Sequence, residues 1–74
     1  MTIQAAFGAA LREIRAERGL SQEALALAAG LNRGYYNGVE RGKRNIALVN
    51  IGKLAEALGL QPSAIFARAE DLRV

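Results

Sequence analysis

Arg33 and Asn37 stand four residues apart, about one helical turn, and the small residues beside them are Gly34 and Gly38. A guanidinium so placed can pair bidentately with the O6 and N7 of guanine, and a carboxamide with the N6 and N7 of adenine. An ordinary solvent-facing helix would use Glu, Lys and Gln, since glycine and asparagine cost about 0.5–1 kcal/mol each relative to alanine. Small side chains make sense there if base edges or phosphates approach Arg33, Gly34 and Asn37 closely. The structural alternative is that Gly34 and Gly38 are packing contacts and Asn37 is idle. Tyr35 falls beside Arg33, where its hydroxyl can meet a phosphate or its ring a thymine methyl; a half-buried tyrosine covering the interior fits equally well.

Charge gathers around the same residues. The chain carries +3 overall, yet Arg33, Arg41, Lys43, Arg44 and Lys53 face only Glu40 within residues 30–53. The segments on either side are neutral or slightly acidic, and phosphate binding calls for such a concentrated patch. Lys43, Arg44 and Asn45 read as phosphate contacts that set register and carry little sequence information. Gln22, at the start of a helix whose first amides are free, is expected to meet a phosphate as well, and Asn32 and Tyr35 complete that set. Glu40 is an acid inside a basic patch. An ion pair with Arg12 or Arg41 would neutralise it, and Arg12 is the expected partner.

The elements that position these residues are helical throughout, because period-two alternation is absent. Phe7, Ala10, Leu11 and Ile14 place an apolar stripe on a first helix from about Ile3 to Arg18, closed by Gly19. Ser21 reads as the N-cap of a second helix with Ala24, Leu25 and Ala28 along its apolar face, ending at Gly30. Leu31 is expected to plug the turn into the core. Asn32 then caps a short third helix to Glu40 or Arg41, with Tyr36 and Val39 inward and Gly42 after it. The connection Gly30-Leu31-Asn32 is so short that the second and third helices must cross steeply, leaving the third to project outward. Leu48, Ile51, Leu54, Ala55 and Leu58 give a fourth helix ending at Gly59. Pro62 suits the first turn of a fifth, from which Ile65 and Phe66 close the core, and the tail from Ala67 to Val74 has no marked boundary.

With 74 residues the chain makes one domain, 1–74, whose reading portion spans about 21–41. It has no cysteine and no histidine. Disulfides, thiolate zinc sites and the commonest general base are therefore excluded, and no cofactor or metal is implied. No apolar run approaches the roughly 20 residues that span a bilayer, and no basic segment leads into an apolar one as in a secretory signal, so a cytoplasmic protein is expected.

The runs Phe7-Gly8-x-x-Leu11-Arg12-x-Ile14-Arg15, Gly19-Leu20-Ser21-Gln22-Glu23-x-Leu25-Ala26, Ala29-Gly30-Leu31 and Val39-Glu40-Arg41-Gly42-Lys43-Arg44-Asn45 resemble the Cro/phage-repressor (XRE-like) helix-turn-helix family. Leu54-Ala55-x-Ala57-Leu58-Gly59 and Pro62-Ser63-x-Ile65-Phe66 continue the resemblance, which covers about residues 7–66. It implies an all-α, five-helix, lambda-repressor-like domain that binds operator DNA as a homodimer and regulates transcription. It also implies that Gln22 meets phosphate, that Arg33, Gly34 and Asn37 face the major groove, and that Arg12 and Glu40 form a structural salt bridge. Two residues depart from the family pattern: Ala47 stands where a Ser or Thr cap is usual, and Tyr36 where an aliphatic is usual. A narrower similarity, carried by Gly38–Asn45 and Leu48–Ile51, is to restriction–modification controller proteins.

Two function classes follow. The first is a sequence-specific, dimeric reader of palindromic operators, with its dimer surface beyond Leu48 and Val49, Leu72 and Val74 as exposed apolar candidates. The second is a protein-interaction module, such as an antitoxin whose main target is protein. An enzyme is not expected, because no base and nucleophile are available to pair.

Overall fold

The computed structural model describes residues 1–73, and Val74 lies outside them. Five helices follow one another: α1 (Ile3–Glu17), α2 (Gln22–Ala29), α3 (Arg33–Glu40), α4 (Leu48–Leu58) and α5 (Pro62–Arg73). No strand occurs among the described residues, so the all-α expectation holds. No helix among them is long and apolar enough to cross a membrane.

Local chemistry sets the boundaries. Thr2, Ser21 and Asn32 each accept, through a side-chain oxygen, the backbone N–H three residues on, at 3.0 Å. These bonds satisfy donors that the first turns of α1, α2 and α3 would otherwise leave unpaired. Gly30 ends α2 at φ 70°, a left-handed conformation that costs glycine little, and the chain reverses into α3 within three residues. Ala47 precedes α4 with no side-chain hydrogen bond to it, as its identity requires.

The core is aliphatic apart from the Phe7 ring and one phenol, Tyr36. Leu11, Leu25, Tyr36, Leu54 and Ile65 are fully buried, each from a different helix. The inward assignment of Tyr36 therefore stands although the usual residue there is aliphatic. Phe66 is half-buried, its ring 5.1 Å from that of Phe7. The tail is bound rather than loose: Ala69 is buried, and Arg68 reaches Glu13 at 3.1 Å and Glu17 at 2.8 Å across to α1. Leu72 packs against the core half-buried, so it is not the exposed residue expected from its place near the terminus.

One contact governs how α3 sits. Gly8 on α1 lies under the carbonyls of Val39 and Glu40, and a Cβ there would fall 2.5 Å from the Glu40 oxygen. Gly42, at φ 71°, comes equally close to α1, since a Cβ on it would lie 2.8 Å from the Cα of Ala5. Helix α1 thus meets the end of α3 backbone to backbone, an approach that only glycine permits.

Candidate nucleic-acid interface

The outer side of α3 begins with Arg33 and Gly34, both exposed, and continues through Asn37 to Arg41. Beyond it the chain turns through Gly42 into Lys43, Arg44 and Asn45, all exposed. That turn is held to α3 by main-chain bonds from Gly42 to Val39 (3.1 Å) and from Lys43 to Gly38 (2.9 Å). Base-reading candidates and cations therefore share one edge of the bundle.

Each candidate has a definite surrounding. Arg33 pairs with Glu23 of α2 at 3.1 Å, both side chains 68% exposed. An exposed pair of this kind contributes about 0–1 kcal/mol, so releasing Arg33 toward a ligand costs little. Gly34 is open except toward Asn32, whose Oδ1 would lie 3.2 Å from an added Cβ. Asn32 itself is committed as the α3 cap through that oxygen, and its amide nitrogen is the part left for an outside contact. Tyr35 is half-buried, and its hydroxyl accepts from Asn50 Nδ2 at 3.1 Å. The hydroxyl proton of Tyr35 remains available to a phosphate.

Gly38 differs from its reading as space for a close ligand. The stem of Arg44 lies over it, 2.9 Å from where a Cβ would stand, and the guanidinium sits 5.8 Å from the centre of the Tyr35 ring. Gly38 makes room for Arg44, and the cation is held against α3 by a contact of about 0.5–1 kcal/mol. Gly38 is thus a packing contact.

The expected Arg12–Glu40 salt bridge does not form. Glu40 is 2% exposed, and its carboxylate accepts from Arg15 Nε at 2.7 Å and Arg15 Nη2 at 3.2 Å. Arg12 reaches only the main-chain carbonyl of Glu40, through Nη1 at 3.3 Å. The helical wheel explains the exchange: Arg15 lies about 90° from the centre of the Phe7–Ile14 stripe and Arg12 about 150°. Only Arg15 can follow the apolar face inward, and that spacing was available in the sequence. Tyr36 donates its hydroxyl to the same carboxylate, and Gln22 Nε2 donates to it at 2.8 Å. Arg15 also donates to the carbonyl of Leu20 at 2.8 Å. One buried carboxylate thus ties α1, α2 and α3 together.

Burial of Glu40 works against its charge, but the hydrogen bonds from Arg15, Tyr36 and Gln22 outweigh it and hold the carboxyl below the ordinary glutamate value. Burial, with the Glu40 hydrogen bond and charge added, pushes the Tyr36 phenol well above its usual range. The hydrogen bond to Glu40 raises Arg15 in turn. The anion in the basic patch is therefore internal and spent.

Gln22, expected as a phosphate contact, is engaged inside the protein on both ends of its amide. While Nε2 serves Glu40, its Oε1 accepts from Asn37 Nδ2 at 3.1 Å, so α2 and the outer side of α3 are directly joined. Glu23, Asn50 and Arg15 are the neighbours that pattern alone did not assign to the site. Among the described residues no acidic cluster could hold a metal ion.

A model described as "Helix-turn-helix" matches residues 11–65, most of the chain. The chain belongs to the helix-turn-helix family. Control protein C.MunI of Mycoplasma sp is 42% identical over 69 residues, which cover 92% of this chain and 93% of that protein. The restriction-modification controller protein C.AhdI from Aeromonas hydrophila superposes with TM-score 0.82 at 55% identity, covering 84% of this chain and 94% of that one. The clp gene regulator ClgR from C. glutamicum superposes with TM-score 0.94 at 28% identity, over 100% of this chain and 96% of the other. The fold of this helix-turn-helix protein is thus shared with regulators whose lengths match its own.

Proposed function

We propose that this protein is a sequence-specific DNA-binding regulator of transcription, of the restriction–modification controller kind. Residues 1–74 act as a single domain in the cytoplasm, and recognition rather than catalysis is its chemistry. The observation that carries the reading is one shared edge: Arg33 and Gly34 exposed and Asn37 half-buried on the outer side of α3, flanked by Gln22 and by the exposed Lys43-Arg44-Asn45 turn. In this reading Arg33, Gly34 and Asn37 face base edges, while Gln22, Asn32, Tyr35, Lys43, Arg44 and Asn45 contact phosphate or sugar. The relatives named as control and controller proteins support it.

Two copies bind a palindromic operator, with their α3 helices in successive major grooves about 34 Å apart. Leu48 and Val49, 80% and 69% exposed at the start of α4, are the apolar residues offered to the partner. The test is duplex binding as a function of salt, followed by selection of bound sequences from a random pool. A steep loss of affinity with salt and an enriched palindrome are expected. A flat salt response, or no binding at low salt, overturns the reading in favour of a protein target.

A further inference from the structure

The amide of Asn37 is not free to choose its orientation. A buried, ionised carboxylate only accepts hydrogen bonds, so the Gln22 group facing Glu40 must be its NH2, as it is at 2.8 Å. The other end of the same amide, Oε1, then faces Asn37 and can only accept. Asn37 answers with Nδ2 at 3.1 Å. The polarity of the buried acid is thus passed along two amides to the surface of α3.

What Asn37 has left is its carbonyl oxygen and one N–H, an acceptor beside a donor. That pair matches the N6–H and N7 of adenine. The reversed amide would present its NH2 outward, two donors suited to the O6 and N7 of guanine, and would put two oxygens face to face at Gln22. Among the described residues no other side chain hydrogen-bonds the Asn37 amide: Gly34 offers none, and Arg33 pairs with Glu23 in the unbound chain. Gln22 keeps one N–H of its own for a phosphate.

We infer that Glu40, acting through Gln22, is a specificity-determining positioning residue that makes Asn37 read adenine and reject guanine. The inference rests on the proposed DNA-reading function and adds a residue that touches no DNA itself.

The experiment is selection from a random duplex pool by four proteins: the unaltered chain, Asn37→Ala, Gln22→Ala and Glu40→Gln. Asn37→Ala identifies the base step that Asn37 reads by flattening preference there. The unaltered chain is expected to favour adenine over guanine at that step by about tenfold or more. In Gln22→Ala and Glu40→Gln that ratio is expected to fall to about threefold or less, with the step assigned to Arg33 unchanged. A merely structural role would lower affinity for all sequences and leave the ratio intact, and that outcome overturns the relay. Guanine favoured by the unaltered chain overturns it too. If Glu40→Gln does not fold, Gln22→Ala decides alone, because it leaves the Arg15 and Tyr36 bonds to the carboxylate in place. Failure of the unaltered chain to enrich any sequence overturns the DNA-reading function itself, a result distinct from enrichment with an unmoved ratio.

Discussion

Replacing Tyr36 with phenylalanine isolates one strand of the Glu40 brace. The ring stays and only the hydroxyl goes, so the fully buried site keeps its shape and the lost hydrogen bond dominates. Glu40 retains three N–H donors, two from Arg15 and one from Gln22. The change therefore removes one bond to a charged acceptor instead of stranding the charge, which would cost about 3–5 kcal/mol. A loss of about 2 kcal/mol is expected, and a Tm lower by roughly 8–16 °C in a domain of this size. Denaturant unfolding at pH 7 measures the first figure and a thermal scan the second. Repeating the measurement across pH tests the cause. The folded-state value of Glu40 is depressed, so its contribution is fully present above the unfolded value, about 4.3, and is lost as pH falls through the folded one. Tyr36→Phe brings the folded value closer to the unfolded, so the variant has less to lose on acidification. The stability gap between the two proteins should be widest near neutrality and narrow below about pH 4. A loss under 0.5 kcal/mol (an order-of-magnitude bound for one hydrogen bond), or a gap that widens in acid, would refute the reasoning.

The division of labour at the interface gives a paired prediction. Arg33→Ala should cost about 1–3 kcal/mol in operator binding and relax preference at one base step. Lys43→Ala should weaken all sequences alike and flatten the log K against log salt slope by about 0.9; a changed base preference there would contradict it. Gly8→Ala should destabilise by about 1–3 kcal/mol or more in denaturant titration, because the added methyl meets the carbonyls of Val39 and Glu40, which cannot turn aside. Ala47→Ser should stabilise by about 1 kcal/mol by supplying α4 with the cap it lacks, read as a higher unfolding midpoint at unchanged slope.

Helix ends and most of the core are legible because each rests on short-range rules; on α2 only Leu25 of the expected face is buried, with Ala26 and Ala29 beside it, while Ala24 and Ala28 are exposed. Ser21 and Asn32 announce caps, Gly30 and Gly59 stops, and the stripe Phe7–Ile14 a buried face. The two faces of α3 were legible too, since Tyr36 and Val39 leave only one other side. What escaped depends on which surfaces meet. Arg12 and Arg15 lie at similar sequence separations from Glu40, 28 and 25 residues, and only the helical wheel singles out Arg15 as its partner. Gly38 as the seat of Arg44, and Asn50 as the partner of Tyr35, require knowing how the basic turn folds back and where α4 passes. Leu72 looked exposed because nothing local says that α5 continues against α1 as far as Arg73.

Where Gly8 lies against Val39 and Glu40, no side chain intervenes between α1 and α3. Rotamers are the compliant layer of a core, the part that shifts when a neighbour is substituted, and that layer is missing from this contact. The tilt at which α3 leaves the bundle is consequently fixed by two main chains, independent of what α3 displays on its far side. Arg33, an exposed residue outside that contact, can be exchanged without disturbing it, whereas Asn37 is tied to Gln22 and a side chain on Gly34 would press on the Asn32 cap. New operator preferences can arise in such a chain by surface substitution alone, at little expense in folding stability.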